Sequence, residues 1–270
     1  MAAIMKFSPF KFIFIGASAF LSLLIFVFPL FAAATYSFRG EAGKGRSLAN
    51  YRWLLEQDGF YPNLFASLKL AALAGILSLL LMVPTMVFLN LKAQRFKPLI
   101  DFLCILPLII PVVSLAIGAQ VAMPKIIQNS EYELVFFFVI IALPYTYRAI
   151  DTSLQTVQLK TLVEASRSLG ASWLATILRV IVPAIRSGIL GALFLSFALG
   201  IGEYTITSLL HWETFPTWTV VAAQQNILGA IAISVFSFIG AIALLTLISL
   251  LSRRGTKRES LESENEGALS

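Results

Sequence analysis

Residues 161–186, TLVEASRSLGASWLATILRVIVPAIR, decide how the rest of the chain is read. This charged and mixed segment stands between two long apolar runs, which places it at a membrane surface. Residues 161–169 are good helix formers, and Glu164 and Arg167 stand three apart, where opposite charges meet on one helical face. Gly170 falls where that helix should stop, since glycine accepts the positive φ of a helix C-terminus. Ser172 is suited to cap the helix that follows. Pro183 marks where that second helix kinks or ends. The stretch therefore predicts two short helices joined by a glycine bend.

Composition sets the environment. Of 270 residues, 58% are hydrophobic and 13% charged, and the mean hydropathy is +0.86. Soluble domains are about half apolar and about a quarter charged, so this is an integral membrane protein, with the lipid bilayer as its first partner. A net charge of +6 would suit a nucleic-acid partner, but the basic residues are spread over the loops between apolar runs, and no nucleic acid is expected. One cysteine, Cys104, and one histidine, His211, exclude an intramolecular disulfide and a Cys/His metal cluster. Residues 40–47, GEAGKGRS, have the look of a phosphate-binding loop. Lys44 is followed by Gly45 instead of Ser or Thr and no apolar strand precedes it, so no ATP site and no cofactor is expected here.

The apolar runs predict an all-α protein with six transmembrane helices at about 12–35, 63–91, 98–121, 134–150, 187–210 and 228–251. The first follows Lys6 and Lys11 and ends near Ala32-Ala33-Ala34, but it is too long for a signal h-region and reads as an uncleaved span. Pro107 and Pro111 mark kinks within the third. Between the fifth and sixth spans, Trp212 and Trp218 suit the bilayer interface. Residues 1–252 form the transmembrane domain, with the loop 155–186 inside it, and the charged, serine-rich tail 253–270 has too little apolar content to fold. Six spans put both termini on one side. Fourteen of the twenty basic residues fall on that side, which makes it the cytoplasm and places residues 155–186 there too.

The fifth span carries a second pattern. Gly188, Ala192, Ser196 and Gly200 recur every fourth residue, a stripe that lets another helix approach closely. Packing within the chain is one reading; contact with another subunit is the other. Glu203 and Tyr204 follow the stripe. If the helix continues, Glu203 flanks the stripe by about 100° and an ionisable group lies within a span, a functional position by default; alternatively it is a solvated carboxylate at the outer interface.

Glu164-Ala165-Ser166, then Gly170 with Ala171, then Val180-Ile181-Val182-Pro183, resemble the EAA loop of ABC importer permeases. Ser166 stands where a second alanine is usual, and Val182 where leucine is common. The resemblance covers about residues 60–252 and implies the type I importer permease fold, with Glu164, Ala165, Ser166, Gly170 and Ala171 in a cytoplasmic coupling helix. It implies a chain that is not itself an enzyme, and three kinds of partner: cytoplasmic ABC ATPase subunits, a second permease subunit, identical or homologous, and an extracytoplasmic substrate-binding protein. Ser196, Gly200, Glu203 and Tyr204 are then pathway candidates. Residues 213–225, ETFPTWTVVAAQQ, look like the branch serving polyamines, ferric iron, thiamine and phosphonates, and Glu203 favours spermidine or putrescine. An ion-coupled secondary carrier is the competing class; few charges lie within the spans and no inverted repeat is evident.

Overall fold

Lipid offers no partner for backbone N–H and C=O groups, so apolar runs of this length must close their hydrogen bonds within helices. The structure, a computed structural model, describes residues 9–40, 45–128, 130–244 and 246. The tail 253–270 lies outside them. No strand occurs among the described residues, and five helices are long and apolar enough to cross a membrane, or six if one bent pair counts as a span. The chain divides into two compact units, residues 1–57 with 219–240 and residues 58–218 with 241–270.

In the first unit, α1 (Pro9–Ser37) is followed by the short α2 (Ala49–Glu56). The buried Asn50 side chain donates to the carbonyls of Ser37 (2.8 Å) and Arg39 (2.9 Å), which ties α2 to the end of α1.

The second unit begins with α3 (Phe60–Lys92), followed by α4 (Lys97–Ile109) and α5 (Val112–Ala122). The expected third span is therefore broken more sharply than a kink. α4 and α5 meet at 106°. Ile110 is extended (φ −79°, ψ 129°) because the following Pro111 excludes it from helical geometry. A four-residue α6 (Lys125–Gln128) leads to α7 (Glu133–Gln155), which continues five residues beyond the expected boundary. After α8 (Leu159–Ser168), α9 (Trp173–Thr176) and α10 (Val182–Ala184) comes α11 (Arg186–Ile201). The fifth span is also interrupted, at residues 202–204, before the short α12 (Thr205–Leu209). Next, α13 (Phe215–Gln225) and α14 (Ile227–Leu244) run from the second unit into the first and back.

The centre of the second unit is the mutual packing of α3, α7 and α11. Here the small-residue stripe finds its partners. Gly188, Ala192, Ser196 and Gly200 are all buried. A Cβ on Gly188 would lie 2.4 Å from Ser153 Cβ and 2.8 Å from the Ala149 carbonyl, both on α7. At Gly200 the nearest atoms are Phe138 of α7 (3.1 Å) and Ala71 of α3 (3.2 Å). Of the two readings, packing within the chain holds.

Candidate functional site

The loop after α7 folds from local signals. α8 buries Leu159, Val163 and Ser166, at spacings of four and three, and leaves Glu164, Ala165 and Arg167 exposed. It stops at a complete Schellman motif: Gly170 N–H donates to the Arg167 carbonyl (3.0 Å) and Ala171 N–H to the Ser166 carbonyl (3.2 Å). Gly170 has φ +82°, in the left-handed region. A Cβ there would meet nothing within 4 Å, so backbone conformation, not space, selects glycine. Ser172 Oγ then accepts from Ala175 N–H (3.2 Å) and caps the returning arm.

That arm is not one regular helix. One turn of α-helix, α9, widens into a π-helical turn over Ile177–Ile181 before α10. Pro183 lies just beyond the π turn. In a regular α-helix its ring would press on the carbonyl four residues back, that of Arg179, and a wider turn relieves the conflict. Ile181 and Ile185 are fully buried, in one cluster with Val163, Leu159, Met86 and Tyr147. The loop is thus seated on the bundle and does not hang from it.

Two details differ from expectation. Arg167 does not pair with Glu164: its guanidinium donates to the Ala171 carbonyl (2.6 Å) and lies 5.8 Å from the Trp173 ring centre. Closing the turn and covering an indole outweigh a solvent-screened i,i+3 pair of a few tenths of a kcal/mol. The Glu164 carboxylate is exposed, with no ion pair among the described residues. Ser166 is buried, and its hydroxyl shares a 3.0 Å hydrogen bond with that of Thr176, which is also fully buried. Thr176 went unnoticed in the sequence. The available signal was a second small hydroxyl residue ten positions on, across a glycine turn.

The tip presents Leu169 (88% exposed), Leu174 (68%) and Leu178 (56%), with Trp173 beside them. Four exposed large apolar side chains and an exposed carboxylate on one loop make a surface suited to a protein partner. A recess of about 590 Å³, lined by Pro84, Phe88, Leu91, Lys92, Trp173 and Ile177, flanks it. Behind the loop, α4 is fastened to α7 by two ion pairs, Lys97 with the buried Asp151 (2.6 Å) and Arg148 with Asp101 (3.1 Å). These four residues were also missed; their spacing of four on α4 and three on α7 was the available sign.

The pathway candidates separate. Ser196 is fully buried and donates to the Ala192 carbonyl (2.9 Å), and Gly200 is enclosed by α3 and α7. Neither reaches a surface of this chain. Glu203 lies at the break between α11 and α12, within the span Arg186–Leu209, and its carboxylate accepts from Ile206 N–H (2.8 Å) in the first turn of α12. Tyr204 is 42% exposed. The open side of α11 is instead the one carrying Ser187, Gly191 and Leu195, which faces a recess of about 730 Å³ with Tyr145, Arg148 and Thr152 of α7.

Comparison with known proteins matches residues 71–256 to the family described as binding-protein-dependent transport system inner membrane component. The spermidine/putrescine transport system permease protein PotB of Escherichia coli K12 is 28% identical over 182 residues, 61% of this chain and 66% of that protein. PotB of Salmonella typhimurium SL1344 is 27% identical over the same length, 63% of its own chain. The probable transport system permease protein NifC of Clostridium pasteurianum is 23% identical over 222 residues, 74% of this chain and 76% of NifC. The match thus spans just under two thirds of the PotB proteins.

Proposed function

Starting from a chain that belongs to the binding-protein-dependent inner membrane transport components, the ABC importer permeases, we propose that it forms half of an ATP-driven import pathway for polyamine-like cations. The observation that carries this reading is the loop itself: it exposes the Glu164 carboxylate and the side chains of Leu169, Leu174 and Leu178, on a turn locked by Gly170 and by the hydrogen bond between Ser166 and Thr176. A cytoplasmic ATPase subunit docks on that tip, its apolar groove taking the leucines and a basic group taking Glu164. Closure of two ATPases draws two such loops together. The seat of the loop on α3 and α7 converts that movement into tilting of the bundle.

Substrate reaches the opposite end from an extracytoplasmic binding protein, and a second permease subunit, identical or homologous, completes the path. The tail 253–270 and both termini lie in the cytoplasm with the loop. Polyamine is favoured by the PotB relatives and by the carboxylate of Glu203 beside the exposed Tyr204. An ammonium ion is held well by a carboxylate and an aromatic face together.

The test is to purify the tagged chain from mild detergent and assay spermidine and putrescine uptake after reconstitution. Co-elution of an ATPase and ATP-dependent uptake of either polyamine are expected. A chain that elutes without an ATPase, or whose uptake follows an ion gradient, overturns the coupling; uptake of another solute alone overturns the substrate.

A further inference from the structure

α7 begins at Glu133, and its 23 residues put that end about 34 Å from the coupling loop. Glu133 is 1% exposed, a depth at which a carboxylate ordinarily has a cation or several donors. It has neither. One oxygen accepts the indole N–H of Trp212, and the other is buried with no hydrogen-bond partner among the described residues. None of the three ion pairs among those residues includes it. Lys69 on α3 binds Glu131, two residues earlier, and stands 5.2 Å from the Tyr132 ring centre.

The segment that supplies Trp212 is jointed. It leaves α11 at the break of residues 202–204, makes the five-residue α12, and turns at His211 with φ +59°, a left-handed conformation that costs a non-glycine residue about 1–2 kcal/mol. Its far end is tied down where Phe215 N–H donates to the buried Ser67 Oγ on α3 (2.8 Å). A strained strap fastened at both ends thus covers an incompletely compensated carboxylate.

We propose that Glu133 is a cation-recognition group at the entrance of the pathway, hidden in this state by a latch in which Trp212 holds the strap shut. Opening exchanges a neutral indole donor for an ammonium group of the substrate, which pairs with the carboxylate far more strongly than the indole does. Because the cation binds only the open form, it shifts the strap towards opening. The inference rests on the cationic-substrate reading above.

The experiment uses the complete transporter, with its ATPase and binding protein, in membrane vesicles. Cys104→Ser removes the native thiol and Thr207→Cys places one on the buried face of α12, where an impermeant maleimide reports opening. In this parent, 1,3-diaminopropane should speed labelling about tenfold, the scale of one hydrogen bond to a charged group. Glu133→Gln, which keeps an oxygen for Trp212, should abolish that response, whereas Glu131→Gln should retain it. Trp212→Phe should label fast without the diamine. A parent insensitive to the diamine, a response surviving Glu133→Gln, or slow labelling of Trp212→Phe each overturn the proposal. Spermidine uptake by the unaltered chain is judged separately: its absence alongside an intact diamine response removes the polyamine assignment and leaves the latch standing.

Discussion

Replacing Gly170 isolates the geometry of the turn from everything else in the loop. A Cβ there meets no atom within 4 Å, so any effect comes from φ +82° alone. An L-residue held in that region loses about 1–2 kcal/mol. Alanine therefore lowers the population of the closed Schellman turn by about tenfold at 1.4 kcal/mol. Valine, branched at Cβ, loses more, while asparagine tolerates the conformation and loses least. If the ATPase docks only on the closed turn, substrate-stimulated ATP hydrolysis in proteoliposomes should fall in the order Gly, Asn, Ala, Val, with Gly170→Ala down about tenfold. Chain abundance and basal hydrolysis should hold constant, because the turn lies outside the packed bundle. Equal stimulated hydrolysis across the series, with the ATPase still bound, refutes the reasoning.

Three further outcomes test other parts of the structure. Ser166→Ala and Thr176→Val should each destabilise the loop by about 1 kcal/mol but add to little more than one of them when combined, since both remove one hydrogen bond; a thermal-shift double-mutant cycle measures this. Gly188→Val should cost about 3 kcal/mol and cut membrane abundance, because its Cβ would sit 2.4 Å from Ser153, whereas Gly191→Val, three residues along the same helix with nothing within 4 Å, should be harmless by quantitative immunoblot. Glu203→Gln retains an acceptor for Ile206 N–H, so assembly should be unchanged while uptake of a dilute polyamine falls about tenfold, read from initial rates.

The sequence by itself determined what depends on neighbours along the chain. Apolar length made the spans, because a bilayer demands it at each run independently of the others. The helix, glycine stop and Ser172 cap of residues 159–176 were equally legible, since a Schellman turn and an N-cap are closed by residues within six positions. Proline positions announced disturbances, but not their size: whether Pro111 kinks a helix or turns it through 106° depends on what each half packs against. Tertiary structure alone decided which face of α11 is occupied. A stripe of small residues invites any helix, and only the fold shows that α3 and α7 take it, leaving the side with Ser187, Gly191 and Leu195 open. The same holds for Arg167, whose choice between Glu164 and Trp173 was settled by where the return arm lies. It holds too for Glu133 and Trp212, 79 residues apart, whose hydrogen bond no local periodicity records, because side chains that distant meet only when helices pack.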